Sequence, residues 1–132
     1  ETGSYRYMAP EVFRHEPYSL KVDVYSYAMI VFQLFECTTP FAGYDPVEAA
    51  RDAANEGLRP GFPPRNKLTA TEQALRHLVT DCWNGDADKR PSFEEIINRL
   101  EDLLKDLPSH SAFKGGGAMR GGPDGNNCCA QQ

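Results

Sequence analysis

The chain has no excess of basic residues: 14 Lys and Arg stand against 19 Asp and Glu in 132 residues, a formal charge of -5. A surface that neutralises phosphates needs clustered Lys and Arg, so no nucleic-acid partner is expected. Histidine is scarce, and the four cysteines Cys37, Cys82, Cys128 and Cys129 show no paired metal-ligand spacing. Neither a metal site nor a disulfide framework follows from that pattern, and Cys37 and Cys82 read as buried, reduced thiols. Long hydrophobic runs are missing too. The most apolar stretch, Ala28 to Phe35, is far shorter than a membrane span, and no signal peptide opens the chain. No transmembrane segment and a cytoplasmic location are therefore expected. Position 1 is Glu rather than Met, which reads as a partial product.

Alternation of polar and apolar residues is also lacking, and no internal repeat is visible. What remains is helical periodicity, so the fold class is mainly α. Residues 1 to 18 carry Pro10 and Pro17 and predict an ordered loop with one short turn. Ser19 predicts the N-cap of a helix running to Glu36 that is apolar on nearly every side and wants to be a buried axis. Asp23 stands early in that helix, where a buried carboxylate needs donors. Asp45-Pro46-Val47-Glu48 starts a second helix and Gly57 stops it. A proline-rich connection follows, and then Thr69 and Glu72 offer a capping box for a helix that Trp83 closes.

Ser92 and Glu95 repeat the capping box. Beyond it Phe93, Ile96, Ile97, Leu100, Leu103, Leu104 and Leu107 form an apolar stripe against a charged face. Pro108 ends that helix. Residues 108-132, rich in glycine and poor in apolar side chains, cannot repay their ordering entropy and predict a disordered tail. Cys129 stands at a prenylation distance from the end, but Gln131 is not aliphatic and an unmodified tail is the expectation.

The opening run Thr2-Gly3-Ser4-Tyr5-Arg6-Tyr7-Met8-Ala9-Pro10-Glu11 carries the clearest motif. With Asp23-Val24-Tyr25-Ser26, Pro40-Phe41, Asp81-Cys82-Trp83 and Lys89-Arg90-Pro91-Ser92-Phe93, it resembles the second half of a protein kinase large lobe. The resemblance runs from Glu1 to about Leu107, which makes residues 1-107 a partial kinase domain. Tyr5-Arg6-Tyr7-Met8 and the Asp-Val-Tyr-Ser run are similar to the tyrosine-kinase-like group, in particular plant Raf-like and integrin-linked-like kinases.

For these positions the resemblance implies specific roles. Gly3, Ser4, Tyr5, Arg6, Tyr7 and Met8 would form the loop that receives the substrate residue following the phosphorylated one. Ser4 would reach the catalytic loop through its hydroxyl and points to serine/threonine transfer. Glu11 would pair with Arg90, Asp23 would anchor the catalytic-loop backbone, and Ala9, Pro10 and Trp83 would be structural. Thr2 is a candidate phosphosite, with an unmodified loop threonine the plainer reading. Ala28 and Cys37 stand where family members often carry glycine, and Cys37 resists the left-handed geometry a helix-ending glycine adopts.

The family's glycine-rich phosphate loop, its lysine and glutamate pair, its catalytic aspartate and its Asp-Phe-Gly aspartate are all missing from residues 1-132. No catalytic residue, cofactor site or metal site is therefore expected in this chain, although ATP and Mg2+ are implied for an intact kinase. The expected function is a share of a serine/threonine protein kinase in signalling, with a protein substrate and the N-terminal part of the same domain as partners. The alternative is a shortened, inactive kinase-like module that binds partners through the helix near Pro46.

Overall fold

The computed structural model describes residues 4–107; Thr2, Gly3 and the expected tail over 108–132 lie outside the described residues. Five α-helices and two 3-10 turns make up the described part, with no strand among them. The first 3-10 turn is Ser4–Tyr7 and α1 is Pro10–Phe13. The opening segment thus holds two helical pieces rather than one turn. Pro10 starts α1 instead of blocking it, because the first helical position needs no amide donor and suits proline's fixed φ.

The long helix α2 is Lys21–Glu36. Its cap falls on Leu20, one residue beyond the expected Ser19, and carries no side-chain bond. Ser19 still helps, since its Oγ accepts from the Lys21 amide at 3.3 Å. Helix α3 is Pro46–Asn55, capped by Asp45 Oδ1, which accepts from the Val47 and Glu48 amides at 2.9 and 3.1 Å. Gly57 at φ 71 lets the Leu58 amide turn back to the Asp52 carbonyl, ending α3. Both expected capping boxes form: Thr69 with Glu72 opens α4, Ala70–Cys82, and Ser92 with Glu95 opens α5, Phe93–Lys105. The second 3-10 turn, Ala87–Lys89, links the last two helices.

Helix α2 is the axis of the core. Its Val24, Tyr25, Ala28, Met29 and Phe32 meet Leu78, Val79 and Cys82 of α4, with Ala49 and Ala53 of α3 and Ile96 of α5 in the same cluster. Phe32, Phe62 and Trp83 pack ring on ring, with centroids 5.4 to 5.8 Å apart. Ala28 is fully buried.

Apolar faces of two helices stay uncovered among the described residues. The axis is covered on one side only, since Leu34 is 74% exposed and Ile30 is also exposed. The α5 stripe packs through Ile96 with half-buried Leu100 and Leu103, while Phe93, Ile97, Leu104 and Leu107 stay exposed. The periodicity correctly marks an amphipathic helix, but nothing among the described residues covers half of its apolar arc. Cys37 is not buried: it is exposed at the end of α2. It also accepts the left-handed geometry it was expected to resist, with φ 53 and ψ 36 at the end of α2. Cys82 alone among the described cysteines is a buried free thiol, and burial pushes its pKa up to about 12.

Candidate functional site

The opening segment is tied to α2, to α3 and to the connection before α3 by a handful of hydrogen bonds. In the 3-10 turn the Met8 amide donates to the Tyr5 carbonyl at 3.1 Å. Tyr7 Oη donates to Gln33 Oε1 of α2, and Ser26 Oγ lies 2.8 Å from the Tyr7 carbonyl. Ser4 is exposed, Tyr5, Arg6, Tyr7 and Met8 are half-buried, and Ala9 and Pro10 are buried. Ser4, Tyr7, Met8, Ala9 and Val12 surround, with Val22 and Ser26 of α2, an open hollow of about 310 Å³. Arg6 points elsewhere: its guanidinium donates to the Pro40, Phe41 and Tyr44 carbonyls at 3.0, 2.7 and 2.8 Å.

Glu11 and Arg90, 79 positions apart, form a two-pronged pair. Nη1 donates to Oε1 at 2.7 Å and Nη2 to Oε2 at 2.9 Å. The remaining Arg90 donors reach the Asn84 carbonyl at 2.8 Å and the Lys21 carbonyl at 2.9 Å, and Lys21 Nζ donates back to the Arg90 carbonyl. A planar fork of this kind suits Arg and not Lys. Beneath it lies the Tyr25 ring, with the Arg90 and Arg59 guanidiniums each 5.2 Å from its centroid. Tyr25 Oη is buried without a hydrogen-bond partner among the described residues, and burial pushes its pKa up to about 12. Arg59, in turn, donates through Nε to the Trp83 carbonyl at 2.8 Å and through Nη1 to the Ala53 and Leu58 carbonyls. Trp83 therefore sits at the junction of the aromatic cluster and the arginine stack.

Burial works to raise the Glu11 pKa, but the Arg90 hydrogen bonds, the local backbone and the Arg90 charge outweigh it, leaving the carboxyl below its ordinary value. A group with a depressed folded pKa contributes stability that is fully present above its unfolded pKa, about 4.3 for Glu, and is lost as pH falls through the folded value. Glu72 and Glu95 are also depressed, first of all by the backbone bonds of their capping boxes. We expect the urea midpoint to drop steeply below about pH 4.3. Glu11→Gln should flatten that acid limb in part, and an acid limb of unchanged slope in that variant would remove Glu11 from the linkage.

Asp23 is exposed, and its side chain makes no hydrogen bond among the described residues. The burial and donors that its position in an apolar helix suggests are not found among the described residues, because Asp23 lies on an exposed side of α2 while Val24 beside it is buried. Thr2 and Gly3 lie outside the described residues.

Three interactions were invisible to pattern reading: the reciprocal Lys21 and Arg90 contacts, the stacking of Arg59 on Tyr25, and a buried carboxylate at the far end of α2. Glu36 has a side chain with no exposure, and its two oxygens accept from Arg76 Nε and Arg65 Nη2, each at 2.9 Å. The available signal was its place as a lone acid closing an apolar helix, where the helix dipole disfavours negative charge.

No group of three or more His, Cys, Asp or Glu among the described residues is placed to hold a metal ion. None of the helices described is long and apolar enough to cross a membrane.

Comparison with known proteins bears on the whole arrangement. The family model described as protein tyrosine and serine/threonine kinase matches residues 1–100. Serine/threonine-protein kinase VIK of Arabidopsis thaliana is 50% identical over 109 residues, which cover 83% of this chain and 24% of that protein. Serine/threonine/tyrosine-protein kinase HT1 of the same plant is 40% identical over 117 residues, 84% of this chain and 29% of HT1. Serine/threonine-protein kinase STY17, also from that plant, is 38% identical over 114 residues, 86% of this chain and 19% of that relative. The chain thus spans less than a third of the length of each of these relatives, and by the extent of the family match it belongs to the protein tyrosine and serine/threonine kinase family.

Proposed function

We propose that this chain is the substrate-side part of a serine/threonine protein kinase whose intact form transfers the γ-phosphoryl group of ATP to protein Ser or Thr in signalling. The observation that carries the reading is the opening segment, tied to the region before α5 by the Glu11 and Arg90 pair and to the connection before α3 by Arg6. Gly3, Ser4, Tyr5, Arg6, Tyr7 and Met8 form the loop that receives the residue after the phosphoacceptor, and the Ser4 hydroxyl contacts the catalytic loop of the intact domain. Asp23, exposed in the first turn of α2, is the anchor for the backbone of that loop. The exposed apolar faces of α2 and α5 are where the N-terminal part of the domain packs, because covering each large side chain contributes about 1.5 to 3 kcal/mol. Thr2 is a phosphosite only if activation needs a charge next to this loop.

Residues 1–132 do not by themselves fit Mg-ATP. Gly115-Gly116-Gly117 lies in no strand-to-helix turn pattern and no lysine or aspartate of the nucleotide site is present. Titration of Mg-ATP into this chain in a calorimeter should give no binding heat. A longer protein that joins it to the upstream half should phosphorylate Ser and Thr peptides in preference to Tyr peptides. Binding of Mg-ATP by residues 1–132, or preference for Tyr, would overturn the assignment. An inactive longer protein that still binds partners through α3 would favour the interaction-module alternative.

A further inference from the structure

Two arginines outside the Glu11 and Arg90 pair grip the two ends of α3. At the front, Arg6 donates to the carbonyls of Pro40, Phe41 and Tyr44, immediately before the Asp45 cap. At the back, Arg14 Nη1 donates to the Ala54 carbonyl in the last turn of α3 at 2.6 Å, while Glu16 holds Arg14 Nε and Nη2 at 2.8 Å each. Between the two grips, α3 packs against the 3-10 turn and α1 through Ala49, Ala50 and Ala53, all buried. Alanine has no rotamers to adjust, so the backbones approach closely and shifts pass directly from one element to the other.

The front grip is under strain. Phe41 has φ 55, a left-handed geometry that costs a non-glycine residue energy, and Gly43 follows at φ 88. This bend turns three carbonyls toward a single guanidinium. With that guanidinium spent on main-chain carbonyls, Arg6 is not a group that reads substrate charge.

We propose that Arg6 and Arg14 are positioning residues that clasp α3 to the substrate loop. The pose of α3 then sets the pose of the loop, and with it the selection of the substrate residue following the phosphoacceptor. The last clause rests on the kinase reading above; the clasp itself does not.

Amide exchange on residues 1–132 tests the clasp. Arg6→Gln should speed exchange about tenfold at the Met8 amide and at the Val47 and Glu48 amides, leaving Gln73 of α4 and Ile96 of α5 unchanged. Arg6→Lys, able to serve fewer carbonyls at once, should fall between. Arg14→Gln should act on the Glu56 and Leu58 amides that close α3, by about threefold because this grip is more exposed. Unchanged exchange at Met8 and Val47, or equal acceleration everywhere, overturns the clasp. In the longer kinase, Arg6→Gln should raise the peptide KM about tenfold and alter selection at the following residue, with the KM for ATP unchanged. An unchanged peptide KM and selection overturns the link to substrate. If the wild-type longer protein phosphorylates no peptide while the exchange pattern appears, the kinase reading falls and the clasp stands.

Discussion

Arg90→Ala is expected to lower the stability of this chain by about 3 to 5 kcal/mol, the cost of leaving one member of a buried ion pair without its partner. The change removes more than a charge. Glu11 is only 7% exposed and loses both of its donors, and the carbonyls of Asn84 and Lys21 lose theirs. The Tyr25 ring, which has Arg90 stacked on it, would also lose that cover. Domains of this size have a total stability of about 5 to 15 kcal/mol, so a large part of it rests on one side chain.

Urea unfolding followed by the single tryptophan, Trp83, provides the measurement, since Trp83 lies in the core beside Arg59 and the aromatic cluster. Arg90→Lys should recover only a fraction of the loss, because an ammonium cannot serve both carboxylate oxygens and both carbonyls in one plane. Glu11→Gln should cost less than Arg90→Ala, as the amide retains an acceptor for one prong. A midpoint unchanged in Arg90→Ala would mean that the pair is not what joins the opening segment to the region before α5.

Local signals in the sequence predict the local structure well. The Asp45 cap, the two capping boxes, the Gly57 stop and the Trp83 end each depend on residues within three or four positions of one another, and each forms as expected. The family motif also points to the partnership of Glu11 and Arg90 across 79 positions. Burial was less legible because it depends on what lies opposite a helix face. The stripe of α5 has the right period but half of it meets solvent, and Asp23 lies on the outward side of α2. The contacts of Arg6 are not legible in the sequence for a related reason: three carbonyls brought together by a left-handed Phe41 have no counterpart in side-chain chemistry. Main-chain acceptors carry no sequence signature.

Glu36→Ala is expected to rank close behind, at about 3 kcal/mol, for a network of arginines assembled from three parts of the chain. Its carboxylate sits at the C-terminal end of α2, where the helix dipole opposes it and burial removes water. Arg76 and Arg65 compensate, and each is held in turn. Arg76 Nη2 donates to the Pro63 carbonyl at 3.0 Å with its guanidinium 4.9 Å from the Phe62 centroid, while Arg65 Nη1 reaches Glu72 at 3.0 Å and its guanidinium lies 5.1 Å from the Phe35 centroid. Through Pro63 and Phe62 the network fixes the proline-rich connection against the ends of α2 and α4, and so supports Phe32 and Trp83 from below.

The three substitutions should not cost the same. Arg76 is 13% exposed and Arg65 is 32% exposed, so solvent screens the second interaction more. Arg76→Ala should cost about 2 kcal/mol, near the value of a hydrogen bond to a charged group, and Arg65→Ala about 1 kcal/mol or less. Because all three share one carboxylate, the double variant Arg65→Ala/Arg76→Ala should cost more than the sum of the two single changes, since only then is Glu36 buried with no cation. Urea midpoints of the four variants decide the matter. A Glu36→Ala cost below about 1 kcal/mol, or Arg65→Ala costing more than Arg76→Ala, would show that the connection is held by the Phe32, Phe62 and Trp83 contacts instead.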